Sequence, residues 1–273
     1  MKSVANRSGR GRGSSPRGWT RGAAAAALVF AAACGGDGGS GSSEDGGSMS
    51  SVAEVVERAP DGVATRLGDV VTTEGVATVS AGIFSNNKLK IFIQAGDAGA
   101  MVYHEAAADV DAFEQGDLVQ VTGVVRQEDP VPDNNVARGT ILVDITGGEW
   151  TVVNVDQPQP SPQVATLAGI GVADVGTVVR VRGLEKTEGD WPAAGSRSTE
   201  VRISDDGGAT TFTLRLQRNT ITEALASELE AIGDDGLFDL DAIVVQDDLD
   251  DDGSLLGGFE LWIRGTGDIR VAG

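Results

Sequence analysis

The sequence predicts a mainly all-β protein built from two similar halves. Beyond about residue 53 the chain becomes short runs of β-branched residues separated by Gly, Asp and Asn, the pattern of a barrel or sandwich. Helical periodicity is confined to Val52–Arg58, Ala106–Phe113 and Thr222–Ile232, of which the last, Thr-Glu-Ala-Leu-Ala-Ser-Glu-Leu-Glu-Ala-Ile, is a short amphipathic helix. The third observation is a set of anchors that recurs in the same order in both halves. A chain of 273 residues suits two cores of about 100–150 residues each.

The anchors organise the chain. Gly68-Asp-Val70-Val71-Thr-Thr-Glu-Gly75 aligns with Gly176-Thr-Val178-Val179-Arg-Val-Arg-Gly183, keeping Gly, Val, Val and Gly in register. Gly139-Thr-Ile-Leu142 through Gly148-Glu-Trp150 aligns with Gly258-Phe-Glu-Leu261 through Gly267-Asp-Ile269. Between them each half holds two strands joined by an Asp/Gly turn, Asp97-Ala-Gly99 in one and Asp205-Asp-Gly-Gly208 in the other. A helical stretch follows, then a strand opened by glycine, Gly116–Val125 or Gly236–Val245. Each half therefore reads as three strands, a helix and two strands. That order is the OB-fold, a five-stranded, partly open Greek-key barrel, with a short helix between strands 3 and 4.

The wording of the first half also resembles the OB-fold modules of bacterial secreted nucleases and surface lipoproteins. The residues that carry the likeness are the Gly-x-Val-x-x-x-Gly strand, Ile91-Phe92-Ile93-Gln94-Ala95-Gly96-Asp97-Ala98-Gly99-Ala100-Met101-Val102-Tyr103 and Gly116-Asp117-Leu118-Val119-Gln120-Val121-Thr122-Gly123. The likeness covers residues 68–153 well and 176–271 more loosely, because the second half lacks the Gln and the Tyr. It implies a tandem-barrel binding module, and nucleic acid as ligand where such modules accompany a nuclease.

The first thirty-three residues read as a secretory signal. Basic residues from Lys2 to Arg21 precede a twelve-residue apolar run, Gly22–Ala33, too short to span a bilayer as a permanent helix and ending in small residues. The lone cysteine follows at once: Phe30-Ala31-Ala32-Ala33-Cys34-Gly35 resembles the lipobox of bacterial lipoproteins, with Ala31 where that family usually has Leu. Cys34 is therefore the expected lipidation site, which makes a membrane the first expected partner and places the protein at the cell envelope, outside the cytoplasm. The alternative is cleavage by ordinary signal peptidase, leaving a free thiol. Residues 34–52 form a Gly/Ser-rich tether whose seventeen residues after Cys34 span roughly 23 Å as a coil. Residues 53–155 then form the first barrel and 164–273 the second. Between them residues 156–163, with three prolines, make a stiff linker.

Charge limits the partners. Six of the 21 Lys and Arg lie before Cys34, leaving 15 basic against 41 acidic residues and a charge of −26 on the remainder. Such a field repels polyanions at long range and counts against tight, sequence-independent nucleic-acid binding. A local platform still fits the pattern. OB-folds bind ligands on the face of strands 2 and 3. Alternation along residues 88–94 sends Leu89, Ile91 and Ile93 inward and leaves Lys88, Lys90, Phe92 and Gln94 outside. Cations beside an aromatic suit single-stranded nucleic acid, and Tyr103 stands on the neighbouring strand. The second half offers Arg202, Arg215 and the following Arg218, with Trp191 in the preceding loop. The same cations equally serve solubility and oppose edge pairing.

The sharpest chemical motif is Asp247-Asp248-Leu249-Asp250-Asp251-Asp252-Gly253-Ser254. Asp248, Asp250, Asp252 and Gly253 fit the D-x-D-x-D-G opening of a calcium loop, with Ser254 and Glu260 as further oxygen donors. Position twelve is Phe259 and strands flank the segment, so an EF-hand is excluded. A looser calcium loop and a solvated acidic hairpin both remain readings of it. For catalysis the sequence offers little: His104 is the one histidine, no Gly-x-Ser-x-Gly is present, and phosphate-loop and dinucleotide fingerprints are absent. The expectation is a non-catalytic binding protein with a protein or glycan partner, with single-stranded nucleic-acid binding as the alternative. A carboxylate-dependent enzyme is the third reading: paired carboxylates can serve glycoside hydrolysis, but here they fall in turns and loops.

Overall fold

The computed structural model describes residues 49–106, 113–128, 139–247 and 258–272. The chain enters through a two-residue strand, β1 (Met49–Ser50), and a single turn of helix, α1 (Val52–Val55), shorter than the periodicity implied. Ser51 and Glu54 form a reciprocal capping box that satisfies both backbone donors at its start. Strands β2 (Val70–Ala77), β3 (Leu89–Ala95), β4 (Ala98–His104), β5 (Leu118–Gln127) and β6 (Ile141–Asn154) follow. The second half begins with β7 (Gln163–Ala165) and continues with β8 (Val178–Glu188), β9 (Thr199–Ser204) and β10 (Phe212–Leu216). Helix α2 (Glu223–Ile232), β11 (Phe238–Gln246), β12 (Phe259–Trp262) and β13 (Ile269–Val271) complete it.

Hydrogen-bonded order in the first half is β2-β3-β4-β6-β5, and β5 returns to β2, closing the sheet. In the second it is β8-β9-β10-β12-β11, with β11 returning to β8. Both halves are thus closed five-stranded barrels with the Greek-key order of the OB-fold; closure removes the unpaired edges that a flat sheet would expose. In the second barrel α2 lies between β10 and β11. Thr222 caps it through Leu225 N–H, and Leu225, Leu229 and Ile232 face the core. The corresponding stretch of the first half falls largely at residues 107–112, outside the described residues. No helix among the described residues is long and apolar enough to cross a membrane.

The repeated glycines have a common structural cause. Gly68 and Gly176 each precede the first barrel strand with left-handed φ, 87° and 85°. Each donates its N–H to a carbonyl near the end of the fourth strand, Val125 at 2.9 Å and Val244 at 2.7 Å. Any residue with a Cβ is strained there.

The two barrels share apolar surface. Val178, Ile243, Val245 and Trp262 of the second barrel belong to the same buried cluster as Ile91, Phe92 and Met101 of the first. Phe84, Phe92 and Trp262 form an edge-to-face trio with centroids 5.1–6.5 Å apart, each pair adding about 0.5–1.5 kcal/mol beyond its burial. Polar pairs fix the register across the junction. Val178 N–H donates to Gln94 Oε1 (3.1 Å), Thr140 N–H to the Gln246 carbonyl (3.0 Å), Gln246 N–H to Thr140 Oγ1 (2.9 Å), and Asn219 Nδ2 to the Gly82 carbonyl (2.6 Å). Backbones meet most closely at Gly99 and Gly176, where a Cβ on Gly99 would lie 2.1 Å from the Gly176 carbonyl oxygen. Gly99→Ala is therefore expected to cost about 2–3 kcal/mol through overpacking, read as a lower urea midpoint. Gly267→Ala, whose Cβ would meet nothing within 4 Å, serves as the control and should change stability by less than about 0.5 kcal/mol.

Candidate functional site

The structure divides the two faces that the sequence nominated. On β3, Leu89, Ile91 and Ile93 are buried inside the barrel, as alternation requires. The opposite face is not open. Phe92 is completely buried beneath Phe84 and Trp262, and Gln94 is 2% exposed, donating to the Gly96 carbonyl and accepting from Val178 N–H. The expectation that Phe92 and Gln94 form an exposed platform is thus corrected: the second barrel covers them. Period-two alternation separates a strand's two faces but is blind to a second module packed on the outer one.

The cations of this face are engaged. Lys90 pairs with Glu128 at 2.8 Å. Lys88 donates to Tyr103 Oη (3.0 Å) and pairs with Glu105 (3.2 Å), while Tyr103 Oη also bonds the Glu105 carboxylate. The phenol and ammonium hydrogen bonds hold the Glu105 carboxyl below its ordinary range. Trp191, expected beside the ligand face, is also reassigned. Its indole Nε1 donates to the Gly233 carbonyl (2.7 Å) and its ring packs edge-on against buried Phe238, with Lys186 Nζ 5.4 Å above it. It closes the core of the second barrel. His104 Nδ1 lies 2.9 Å from the Ala106 carbonyl oxygen, a local turn contact.

The corresponding face of the second barrel is accessible. Strands β9 and β10 pair with Arg202 opposite Thr213 and Glu200 opposite Arg215, while Val201, Ile203, Leu214 and Leu216 point into the core. Arg202 is exposed and has no ion-pair partner among the described residues. Two adjoining recesses of about 450 and 460 Å³ run along this face. One lies at the barrel junction and is lined by Ser85, Lys90 and Glu128 of the first barrel with Ser198, Arg215, Gln217 and Asp247 of the second, over Phe84 and Trp262. The other continues past Glu200, Arg202 and Thr213 to the stacked pair Phe212 and Phe259.

Arg215 is the centre of the face. It pairs with Glu200 (2.8 Å), Asp247 (3.1 Å) and Glu260 (3.1 Å), and its guanidinium lies 5.7 Å from the Trp262 ring centre. Burial works against its charge, yet Glu260, Glu200 and Asp247 together hold its pKa above the ordinary value. Glu260 has the opposite balance. Burial pushes its carboxyl up, and the Trp262 indole N–H (2.8 Å) and Arg215 only partly oppose this.

That placement bears on the calcium reading. Asp248, Asp250, Asp252 and Ser254 lie outside the described residues. Glu260 is not available as their companion: it is 5% exposed on β12 and held by Arg215 and the Trp262 indole. Among the described residues no group of three or more His, Cys, Asp or Glu side chains is placed to hold a metal ion. Asp247, Glu128 and Trp262 are the site residues that sequence reasoning missed. Asp247 was hidden in an acidic run, and Trp262 was legible only as the outward neighbour of Leu261 on a strand.

No family model matches the chain, and no curated protein matches it. Among solved structures, it is similar to an OBody bound to hen egg-white lysozyme, at 20% identity over 41% of this chain and 95% of that one, TM-score 0.32. A replication protein A heterotrimer bound to single-stranded DNA matches at 12% identity over 80% of this chain and 52% of that one, TM-score 0.32. The HINa domain of Ifi202 in complex with 20-base-pair double-stranded DNA matches at 10% identity over 74% and 98%, TM-score 0.32. The chain spans about half the length of the replication protein A chain that it matches. At these identities and scores no activity follows from those proteins, and the barrel assignment rests on this chain's own strand pairing.

Arg215→Met leaves Glu260 buried without its cation. Removing one partner of a fully buried pair costs roughly 3–5 kcal/mol, and because Arg215 is 23% exposed the expected loss is about 2–3 kcal/mol near neutral pH. A carboxyl whose folded pKa is raised makes the folded state bind protons before the unfolded chain does, so acidification through that window is stabilising. The variant's deficit should therefore be largest above the raised Glu260 pKa and shrink as the pH falls through it, measured by urea denaturation. A deficit independent of pH would mean that Glu260 does not carry it.

Proposed function

We propose that this chain is a non-catalytic, lipid-anchored binding protein of the cell envelope that presents the β9–β10–β12 face of its second barrel to a protein or glycan partner. The observation that carries this reading is the charge pattern of that face. Lys90, Arg202 and Arg215 stand among Glu128, Glu200, Asp247 and Glu260, so the groove alternates donors and acceptors without an excess of positive charge. Phosphate backbones are bound through uncompensated cations and released counterions. A groove of matched charges edged by Ser85, Ser198, Thr210, Thr211 and Thr213 instead suits hydroxyl, amide and mixed-charge groups, which are read by paired hydrogen bonds. The first-barrel platform for single-stranded nucleic acid is closed by the burial of Phe92.

The anchor and the groove have separate tests. Expressed in a bacterium fed an alkyne fatty acid, the full chain is expected to become labelled, and Cys34→Ser to remain unlabelled. Export of an unlabelled parent would identify ordinary signal-peptidase cleavage. For the groove, Thr213→Trp fills the recess beside Arg202 from a half-exposed position. It should abolish retention of the chain on isolated envelope polysaccharide or envelope protein fractions while shifting the melting temperature by only a few degrees. Salt-sensitive binding of labelled oligothymidine, with no retention on either envelope fraction, would replace this reading by the nucleic-acid one.

A further inference from the structure

A third recess lies at the barrel junction and differs in chemistry from the groove. It encloses about 320 Å³ and is lined by Val56, Gly99 and Ile141 of the first half and Val172, Ala173 and Val175 of the second, with Arg58 as its one charged side chain. Gly99 contributes no side chain, and its backbone is pinned against Gly176. Arg58 Nη1 donates to the Gly62 carbonyl at 2.9 Å and Nη2 to the Gly139 carbonyl at 2.8 Å. Those bonds use two of the five guanidinium donors.

No carboxylate pairs with Arg58 among the described residues. Arg66, Arg126, Arg180, Arg215, Arg264 and Arg270 each have one within 3.2 Å, and the other described arginines without one, Arg182, Arg197, Arg202 and Arg218, are exposed, whereas Arg58 is half-buried. Burial alone pushes the Arg58 pKa down to about 10, with no acid opposing it. A half-buried cation whose partners are carbonyls, set in an apolar wall, is left with incompletely compensated charge. Its complement is a single carboxylate, which a guanidinium fork binds in bidentate fashion, carrying an aliphatic tail for Val56, Ile141 and Val175.

We propose that this recess is a second binding site, distinct from the groove, which takes a medium-chain aliphatic monocarboxylate with its carboxylate on Arg58 and its tail between the two barrels. Size points to a medium chain: a recess of about 320 Å³ accommodates a ligand such as octanoate. A dianionic phosphate is disfavoured because one cation lies there and apolar walls line the remainder.

The test is equilibrium dialysis of the full chain against radiolabelled octanoate, with octanol and octyltrimethylammonium as competitors. Octanoate should be retained, displaced by decanoate and left in place by both competitors. Arg58→Met should weaken binding at least about tenfold, the scale of one charge-assisted hydrogen bond, while Arg58→Lys keeps part of the affinity. Ala173 is exposed on the 3-10 turn Val172–Asp174 at the rim, so Ala173→Leu should block entry without touching the core. That variant decides the matter even where Arg58→Met fails to fold. Absence of octanoate binding by the parent, equal displacement by octanol, or unchanged binding by Ala173→Leu would each overturn the proposal.

Discussion

The junction between the two barrels constrains everything else in this molecule. Trp262 of β12 enters between Phe84 and Phe92, and Val178, Ile243 and Val245 lie in the same apolar layer. Full burial of one such side chain stabilises by about 1.5–3 kcal/mol, and several are buried here together. The approach of Gly99 to Gly176 leaves no room for a Cβ on either, and the polar pairs Gln94–Val178 and Thr140–Gln246 allow one register. Neither barrel presents the surface it would have alone.

That junction breaks the functional symmetry of a duplicated fold. In both barrels strands 2 and 3 have an inner face of Val, Leu and Ile and an outer face of mixed polarity. On β3 the outer face is spent on the junction and holds Phe92 and Gln94 out of water. On β9 and β10 it remains open and carries Arg202, Thr213, Glu200 and Arg215. The two halves therefore have different roles: the first supplies a wall and the pair Lys90–Glu128 at the edge of the groove, and the second supplies its floor.

Charge is handled in two ways. On the open face Lys90 and Arg215 are matched by carboxylates, Arg215 by three, while Arg202 and Arg218 are exposed without an ion pair among the described residues. The same local rule recurs in the strands: Asp241 on β11 receives Arg180 and Arg270 at 2.6–2.9 Å, so that although burial raises its pKa these guanidinium bonds hold it below its ordinary value. Among the half-buried cations Arg58 departs from the rule, since its guanidinium donates to two carbonyls and lines an apolar recess with no carboxylate paired to it among the described residues. The contrast separates half-buried cations that carboxylates answer from one that the fold leaves incompletely answered.

The sequence by itself determined the local and repetitive features. Alternation located Leu89, Ile91 and Ile93 inside a barrel, and helical periodicity located α2 within one residue of its observed start. The glycine pair Gly68 and Gly176 identified equivalent left-handed turns because only glycine takes that φ without strain. These are properties of neighbours in the chain, and the residue pattern records them directly. Tertiary structure alone decided that Phe92 and Gln94 are covered, that Glu260 belongs to Arg215, and that Arg58 faces an apolar recess between barrels. Each depends on residues far apart in sequence: Phe92 meets Trp262, and Val56 and Val175 line one recess at the junction. Alternation shows that a side chain points out of a strand; only the docking of a second barrel determines whether outward means solvent.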